Sequence, residues 1–166
     1  MEIKFAGTVM NLLEQQVKVG DKAPNFTATR QDLSDYKLED DLGKVVILSV
    51  VPSIDTGVCS IQTSKFNDEA SKLSEDIKIV TVSLDLPFAQ ERFCAAKGID
   101  KAEVVSDYKE REFGKKYGFL IDELKLLSRG IVIVDKEGII QYVEYVEEVT
   151  NEVDFTSALD AAKKLV

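Results

Sequence analysis

The sequence predicts an α/β fold with a central mixed β-sheet flanked by helices, on three observations. A continuous β-branched run from Val45 to Val51 lacks the polar alternation of a half-exposed strand, so it reads as a strand covered on both faces. A helical pattern and a second apolar run, Ile77 to Leu84, follow it; strand, helix, strand is the unit that makes a right-handed parallel pair. The last third reads as GIVIVD, a turn at Lys136-Glu137-Gly138, IIQYVEYV, and an amphipathic helix from about Asp154 to Leu165. That is an antiparallel hairpin closed by a helix.

The remaining elements fit around this frame. Residues 1–19 alternate loosely across Gly7, as a small accessory hairpin does, until Lys18-Val19-Gly20-Asp21 punctuates the chain. FTATR at 26–30 predicts a short strand, and Glu39-Asp40-Asp41 before Gly43 predicts a solvated loop. Pro52 stops the central strand. A loop through Ser53, Asp55, Thr56 and Gly57 then enters a helix with Ile61, Phe66, Ala70 and Leu73 on one side, which places Cys59 in the first turn. Pro87 opens a second helix that carries Phe88, Phe93 and Cys94 and ends at Gly98, a residue suited to a left-handed cap. On that helix Phe93 aligns with Ala89 and Ala96, whereas Cys94 has Gln90, Glu91 and Lys97 as neighbours, so Cys94 is expected off the apolar stripe. A strand near Val104-Val105 and a helix over Glu110 to Tyr117 complete the chain. A parallel half, a linking helix and a hairpin-helix half together describe a thioredoxin-like fold, with residues 1–166 as one domain and the hairpin as its extension.

Composition narrows the function. The 166 residues are 45% hydrophobic and 31% charged, which suits one globular core. A formal net charge of -9 opposes binding to phosphate backbones and anionic membrane surfaces, so neither nucleic acid nor a membrane is an expected partner. MEIKFAGTVMNLLEQQ has the pattern of neither a signal peptide nor a membrane span, and a cytoplasmic location is expected. The chain has no histidine. Ser-His-Asp triads, Cys-His dyads and the commonest zinc ligand sets are therefore excluded. Two cysteines remain, 35 positions apart, and a pair of this kind in a cytosolic chain is more often catalytic, redox-active or buried than a permanent staple.

The segment Pro52-Ser-Ile-Asp-Thr56-Gly-Val-Cys59 puts a thiol where a buried strand gives way to a helix. Unpaired N–H groups and the positive end of the macrodipole favour an anion there, and the thiolate is the nucleophile. Thr56, three residues earlier, can accept a hydrogen bond from Cys59 and donate one to a substrate oxygen; Pro52 would stiffen the loop and shield the sulfur from water. Without histidine, the nearby cation must be Arg or Lys. Of four arginines, Arg129 stands immediately before the strand from Gly130 to Val134, whose start lies beside the Cys59 helix in a thioredoxin-like arrangement. A guanidinium there keeps its charge at any pH near neutrality.

PSIDTGVCSIQTSKFN resembles the peroxidatic segment of the thiol peroxidases, a branch of the peroxiredoxins. The broad pattern Pro-x-x-x-Thr/Ser-x-x-Cys is matched by Pro52, Thr56 and Cys59, and DLPFAQERFC, Asp85 to Cys94, is similar to that branch's resolving-cysteine helix. The likeness continues through SRGIVIVDKEG around Arg129 and covers essentially the whole chain. A thioredoxin proper would carry Cys-x-x-Cys, but Thr56 stands at the first of those positions, and Arg129-Gly130 replaces the proline expected before the later strand. The resemblance implies a catalytic set of Cys59 (peroxidatic), Cys94 (resolving), Thr56, Arg129 and Pro52. It also implies an intrachain Cys59–Cys94 redox disulfide reduced by thioredoxin, and activity on hydrogen peroxide and organic hydroperoxides. No metal, haem or flavin is implied, and a homodimer is expected. A peroxide-sensing thiol relay would use the same two cysteines, whereas a thioredoxin-like binding module with incidental cysteines would not need Cys59.

Overall fold

The computed structural model describes residues 1–166. In chain order the elements are β1 (Glu2–Phe5), β2 (Thr8–Asn11), β3 (Thr27–Thr29), β4 (Asp35–Lys37), β5 (Val45–Val50), α1 (Gly57–Ala70), β6 (Ile77–Ser83), α2 (Pro87–Lys97), β7 (Glu103–Ser106), α3 (Glu112–Tyr117), β8 (Gly130–Val134), β9 (Ile140–Tyr145) and α4 (Phe155–Lys163). Strands β3 to β9 form one seven-stranded sheet in the order β4-β3-β7-β6-β5-β8-β9. β5, β6 and β7 run parallel, while β3 pairs antiparallel with β7 and with β4, and β8 pairs antiparallel with β5 and with β9. This is the mixed thioredoxin-like sheet expected from the element order.

Both faces of the sheet are covered, which is why β5 is an unbroken apolar run: all six of its residues are buried. Val46, Leu48 and Val50 face one core with Phe26, Phe113, Tyr117 and Phe119. Val45 and Ile47 face another, with Phe66 of α1 and Phe155, Ala158 and Leu159 of α4. Each fully buried Val or Ile side chain favours folding by about 1.5–3 kcal/mol relative to exposure. The Phe66 and Phe155 rings, 5.2 Å apart between centroids, bind α1 to α4.

The N-terminal hairpin spans Glu2 to Asn11, shorter than the 1–19 segment expected. Its turn places both Ala6 (φ 50°) and Gly7 (φ 83°) in the left-handed region, the pattern of a two-residue hairpin turn whose twist matches its strands. The Glu148 carboxylate accepts from both turn N–H groups, at 2.9 and 3.0 Å. Ile3 and Leu12 pack on Ile121 and Val149.

Four expectations need correction. The strand β4 was not anticipated, because only Tyr36 of its three residues is buried and one apolar position carries no period. The acidic stretch is not a free loop: it forms a 3-10 turn over Leu38–Asp41, and Asp41 accepts from Lys78 Nζ at 3.0 Å and from the Tyr36 hydroxyl at 2.8 Å. Ile61 is half exposed, and the buried face of α1 is instead Cys59, Gln62, Thr63, Phe66 and Asn67. Cys94 is buried too, on a face made by Pro87, Gln90 and Cys94, while Phe88 is 61% exposed. The last two corrections share a cause. Buried amides close loops by hydrogen bonding: Asn67 Oδ1 accepts from the backbone N–H groups of Asp100, Lys101 and Ala102 at 2.7–3.2 Å. Such side chains point inward although their type predicts the opposite.

The consequence for function is positional. In the pairing register Val50 sits between Val82 and Gly130, so the loops after β5 and β6 and the residues before β8 meet at one end of the sheet. No helix is long and apolar enough to cross a membrane.

Candidate active site

At that end the chain leaves β5 through Val51 and Pro52, both buried. Thr56 is the N-cap of α1: its backbone is extended (φ -91°, ψ 150°), and its Oγ1 accepts from the Cys59 backbone N–H at 3.3 Å. A β-hydroxyl here satisfies one of the amide groups that a helix start leaves unpaired. The Thr63 hydroxyl donates to the Cys59 carbonyl at 2.9 Å, one turn further on. Cys59 is thus held on the first turn of a 14-residue helix and is fully buried.

Arg129, 2% exposed, reaches it from the start of β8. All three of its donor nitrogens are used. Nη2 donates to Cys59 Sγ at 3.1 Å, Nη1 to Gln62 Oε1 at 2.8 Å, and Nε to the Val149 carbonyl at 2.7 Å. Gln62 is itself oriented, because its Nε2 donates to Ser49 Oγ at 2.8 Å. None of the seven ion pairs in the structure includes Arg129. The guanidinium therefore sits in the interior among neutral acceptors with its charge directed at the sulfur. Burying a cation without a carboxylate is costly, and the hydrogen bonds to Cys59, Gln62 and Val149 are what hold this one.

Cys94 lies in the last turn of α2 and packs against Ile99 and Val104, with Phe93 beside them. Gln31 Nε2 donates to its Sγ at 3.2 Å. Burial pushes the Cys94 thiol up from its ordinary value, and the Gln31 hydrogen bond works against that. Both cysteines are free thiols. Hydrogen bonds join Thr56 and Arg129 to Cys59, Pro52 is buried where the chain leaves β5, and Cys94 lies in a separate apolar cluster on its own helix.

Three polar residues of this region were not singled out from the sequence. Gln62 follows Cys59 by three positions, and a polar side chain one turn beyond a nucleophile on its inward face was the available signal. Asp85 accepts from the Ser53 hydroxyl at 2.7 Å and from the Ile54 N–H at 2.9 Å, so it anchors the Cys59 loop. Gln90, fully buried, donates to Ser83 Oγ at 3.0 Å and to the Val105 carbonyl at 2.9 Å. Neither contact has a local sequence signature, since each joins separate elements.

A sheltered thiol facing a lone guanidinium, on a thioredoxin-like sheet, defines a cysteine-dependent redox protein. Comparison with known proteins narrows that class. The sequence model of the Redoxin family matches residues 18–161. A thiol peroxidase of Halalkalibacterium halodurans is 52% identical over 161 residues, covering 97% of this chain and 96% of the relative. A thiol peroxidase of Bacillus subtilis is 50% identical over 165 residues, covering 99% and 98%. The crystal structure of a peroxiredoxin-like protein from Aquifex aeolicus superposes with a TM-score of 0.94 at 35% identity, covering 99% of this chain and 97% of that one. The chain belongs to the redoxin family, and within it to the thiol peroxidases, which are enzymes of the peroxiredoxin kind.

Proposed function

We propose that the protein reduces hydrogen peroxide and organic hydroperoxides through Cys59, with Cys94 as the resolving thiol. The observation that carries this reading is the 3.1 Å hydrogen bond from Arg129 Nη2 to Cys59 Sγ, made by a guanidinium that no carboxylate neutralises. In the first step the Cys59 thiolate attacks one peroxide oxygen. The O–O bond breaks, the departing oxygen takes a proton to leave as water or alcohol, and Cys59 becomes a sulfenic acid. In this reading Arg129 and the Thr56 hydroxyl, which turns from the Ser53 carbonyl, bind the peroxide oxygens as charge shifts between them, and the buried Pro52 stiffens the loop. In the second step Cys94 attacks the sulfenic sulfur, a disulfide forms, and the hydroxyl leaves as water. A thioredoxin-type dithiol then reduces the disulfide and is itself oxidised, which restores both thiols.

The second step needs motion. Bridged cysteines have Cα atoms within about 7 Å, and here each sulfur belongs to a different hydrogen-bonded helix, with the Cys94 carbonyl accepting from Gly98 and Ile99. The last turn of α2 and the first turn of α1 are the segments that must open. A cytoplasmic setting and a homodimeric state complete the proposal.

Mass spectrometry after one equivalent of hydroperoxide tests the roles. Wild type loses two hydrogens, Cys94→Ser gains one oxygen, and Cys59→Ser is unchanged. Oxygen uptake by Cys59→Ser would assign the nucleophile elsewhere.

A further inference from the structure

The two segments that must open are already joined in the reduced protein. Asp85 lies between β6 and α2. Its Oδ1 accepts from Ser53 Oγ at 2.7 Å, and its Oδ2 accepts from the Ile54 N–H at 2.9 Å and from Ser83 Oγ at 2.6 Å. Ser83 Oγ in turn accepts from Gln90 Nε2 at 3.0 Å. Gln90 stands one helical turn before Cys94 on the buried face of α2, and Ile54 stands two residues before the Thr56 cap. No cation pairs with Asp85 among the ion pairs, so neutral donors from the Cys59 loop and from the end of β6 hold its charge.

We propose that Asp85 is a positioning residue that clamps the Cys59 loop to the docked Cys94 helix, so that the two segments open as one unit when the disulfide forms. The inference rests on the reading of Cys59 and Cys94 as the redox pair. Its physical basis is the order of the chain Gln90, Ser83, Asp85, Ile54. When α2 loosens around Gln90, Ser83 loses the amide that orients its hydroxyl toward Asp85, and the carboxylate then holds the loop less firmly. Hydrogen bonds in series of this kind strengthen and weaken together. The clamp exists in the reduced state, where α2 is docked, and is absent once both segments have moved to bring the sulfurs together. It therefore favours the dithiol over the disulfide.

The test is equilibration of wild type, Asp85→Asn and Ser83→Ala with dithiothreitol redox buffers, with the disulfide fraction read by alkylation and mass spectrometry. Asp85→Asn shifts the equilibrium about tenfold toward the disulfide, which is about 30 mV more negative; Ser83→Ala shifts it in the same direction. A purely structural role would weaken both redox states alike and leave the potential in place. Hydrogen exchange on the reduced proteins supplies the second readout. In both variants exchange rises together in residues 53–60 and 90–99, while the core strands β5 and β8 keep their protection. If Asp85→Asn loses that core protection, Ser83→Ala carries the test. An unchanged potential in a folded variant whose disulfide does form overturns the clamp alone. Failure of wild type to form a Cys59–Cys94 disulfide overturns the underlying assignment instead.

Discussion

Arg129 Nη2 donates to Cys59 Sγ across 3.1 Å although 70 residues separate them in the chain. Register produces the contact: Gly130 pairs with Val50 in the sheet, so the residue before β8 and the loop after β5 share an edge. The remaining donors of Arg129 are taken by Gln62 and by the Val149 carbonyl, which leaves the guanidinium one orientation.

Arg129→Lys keeps the charge and loses the fork. One ammonium cannot hold the Gln62 and Val149 oxygens and also face the sulfur in the same geometry. The rate constant for oxidation of Cys59 falls by about 10²-fold, the order of loss seen when one preorganised donor is removed from a reacting centre. Stopped-flow oxidation in a Cys94→Ser background measures it; a loss of less than threefold would show that the planar fork is not used.

Thr56→Val removes the capping oxygen and keeps the shape. The Cys59 N–H then loses its partner, and stability falls by about 1 kcal/mol. Thr56→Ser retains the hydroxyl and most of the stability. Urea unfolding of the two variants separates capping from bulk.

Gly130→Ala is a test of close packing beside Arg129. An added Cβ would collide with the Glu144 carbonyl oxygen on the neighbouring strand and lie 2.7 Å from Phe119 Cε1. Backbone cannot step aside as a flexible side chain can, so the variant is destabilised by about 3 kcal/mol or more. Thermal unfolding reads this directly, and a melting temperature equal to wild type would contradict the packing.

Asp107 gives the protein a pH-dependent stability. Burial pushes its carboxyl up to about 6, against the backbone hydrogen bonds from Gly114 and Phe113 that it accepts at the start of α3. An unfolded chain releases this proton near its ordinary value of about 3.9, whereas the folded chain keeps it until about 6. Between those values the folded state binds more protons, so the stability that Asp107 contributes is fully present below about pH 4 and is lost as pH rises to about 6. The decline is on the order of 3 kcal/mol. Asp107→Asn has no such component. The difference in unfolding free energy between wild type and Asp107→Asn, followed from pH 4 to 7, falls across the window, and a flat difference would refute the assignment.

Much of the fold was readable because its signals are local. The Val45–Val51 run, the Pro87 start and the Gly98 stop of α2, and the Lys136-Glu137-Gly138 turn each depend on a few adjacent residues. Gly98 does adopt the left-handed cap, with φ 67°. Tyr36 in its three-residue strand and the inward faces of α1 and α2 were not readable, since apolar periodicity assigns Gln62, Asn67 and Gln90 to solvent. Their burial follows from hydrogen bonds to Arg129, to the 100–102 backbone, and to Ser83 with Val105, partners that lie far along the chain.

The amino-acid order by itself determined the mixed sheet, the position of Cys59 in the first turn of a helix with Thr56 three residues before it, and the exclusion of histidine chemistry. Only the folded chain decided that Arg129 meets Cys59 without a carboxylate between them, that Cys94 is buried in a separate cluster, and that Asp85 bridges the two cysteine segments. The division has one physical cause. Caps, turns and strand runs are set by steric and hydrogen-bonding preferences between near neighbours, whereas the charge around a sulfur is set by strand register and helix docking, which join residues that the chain keeps apart.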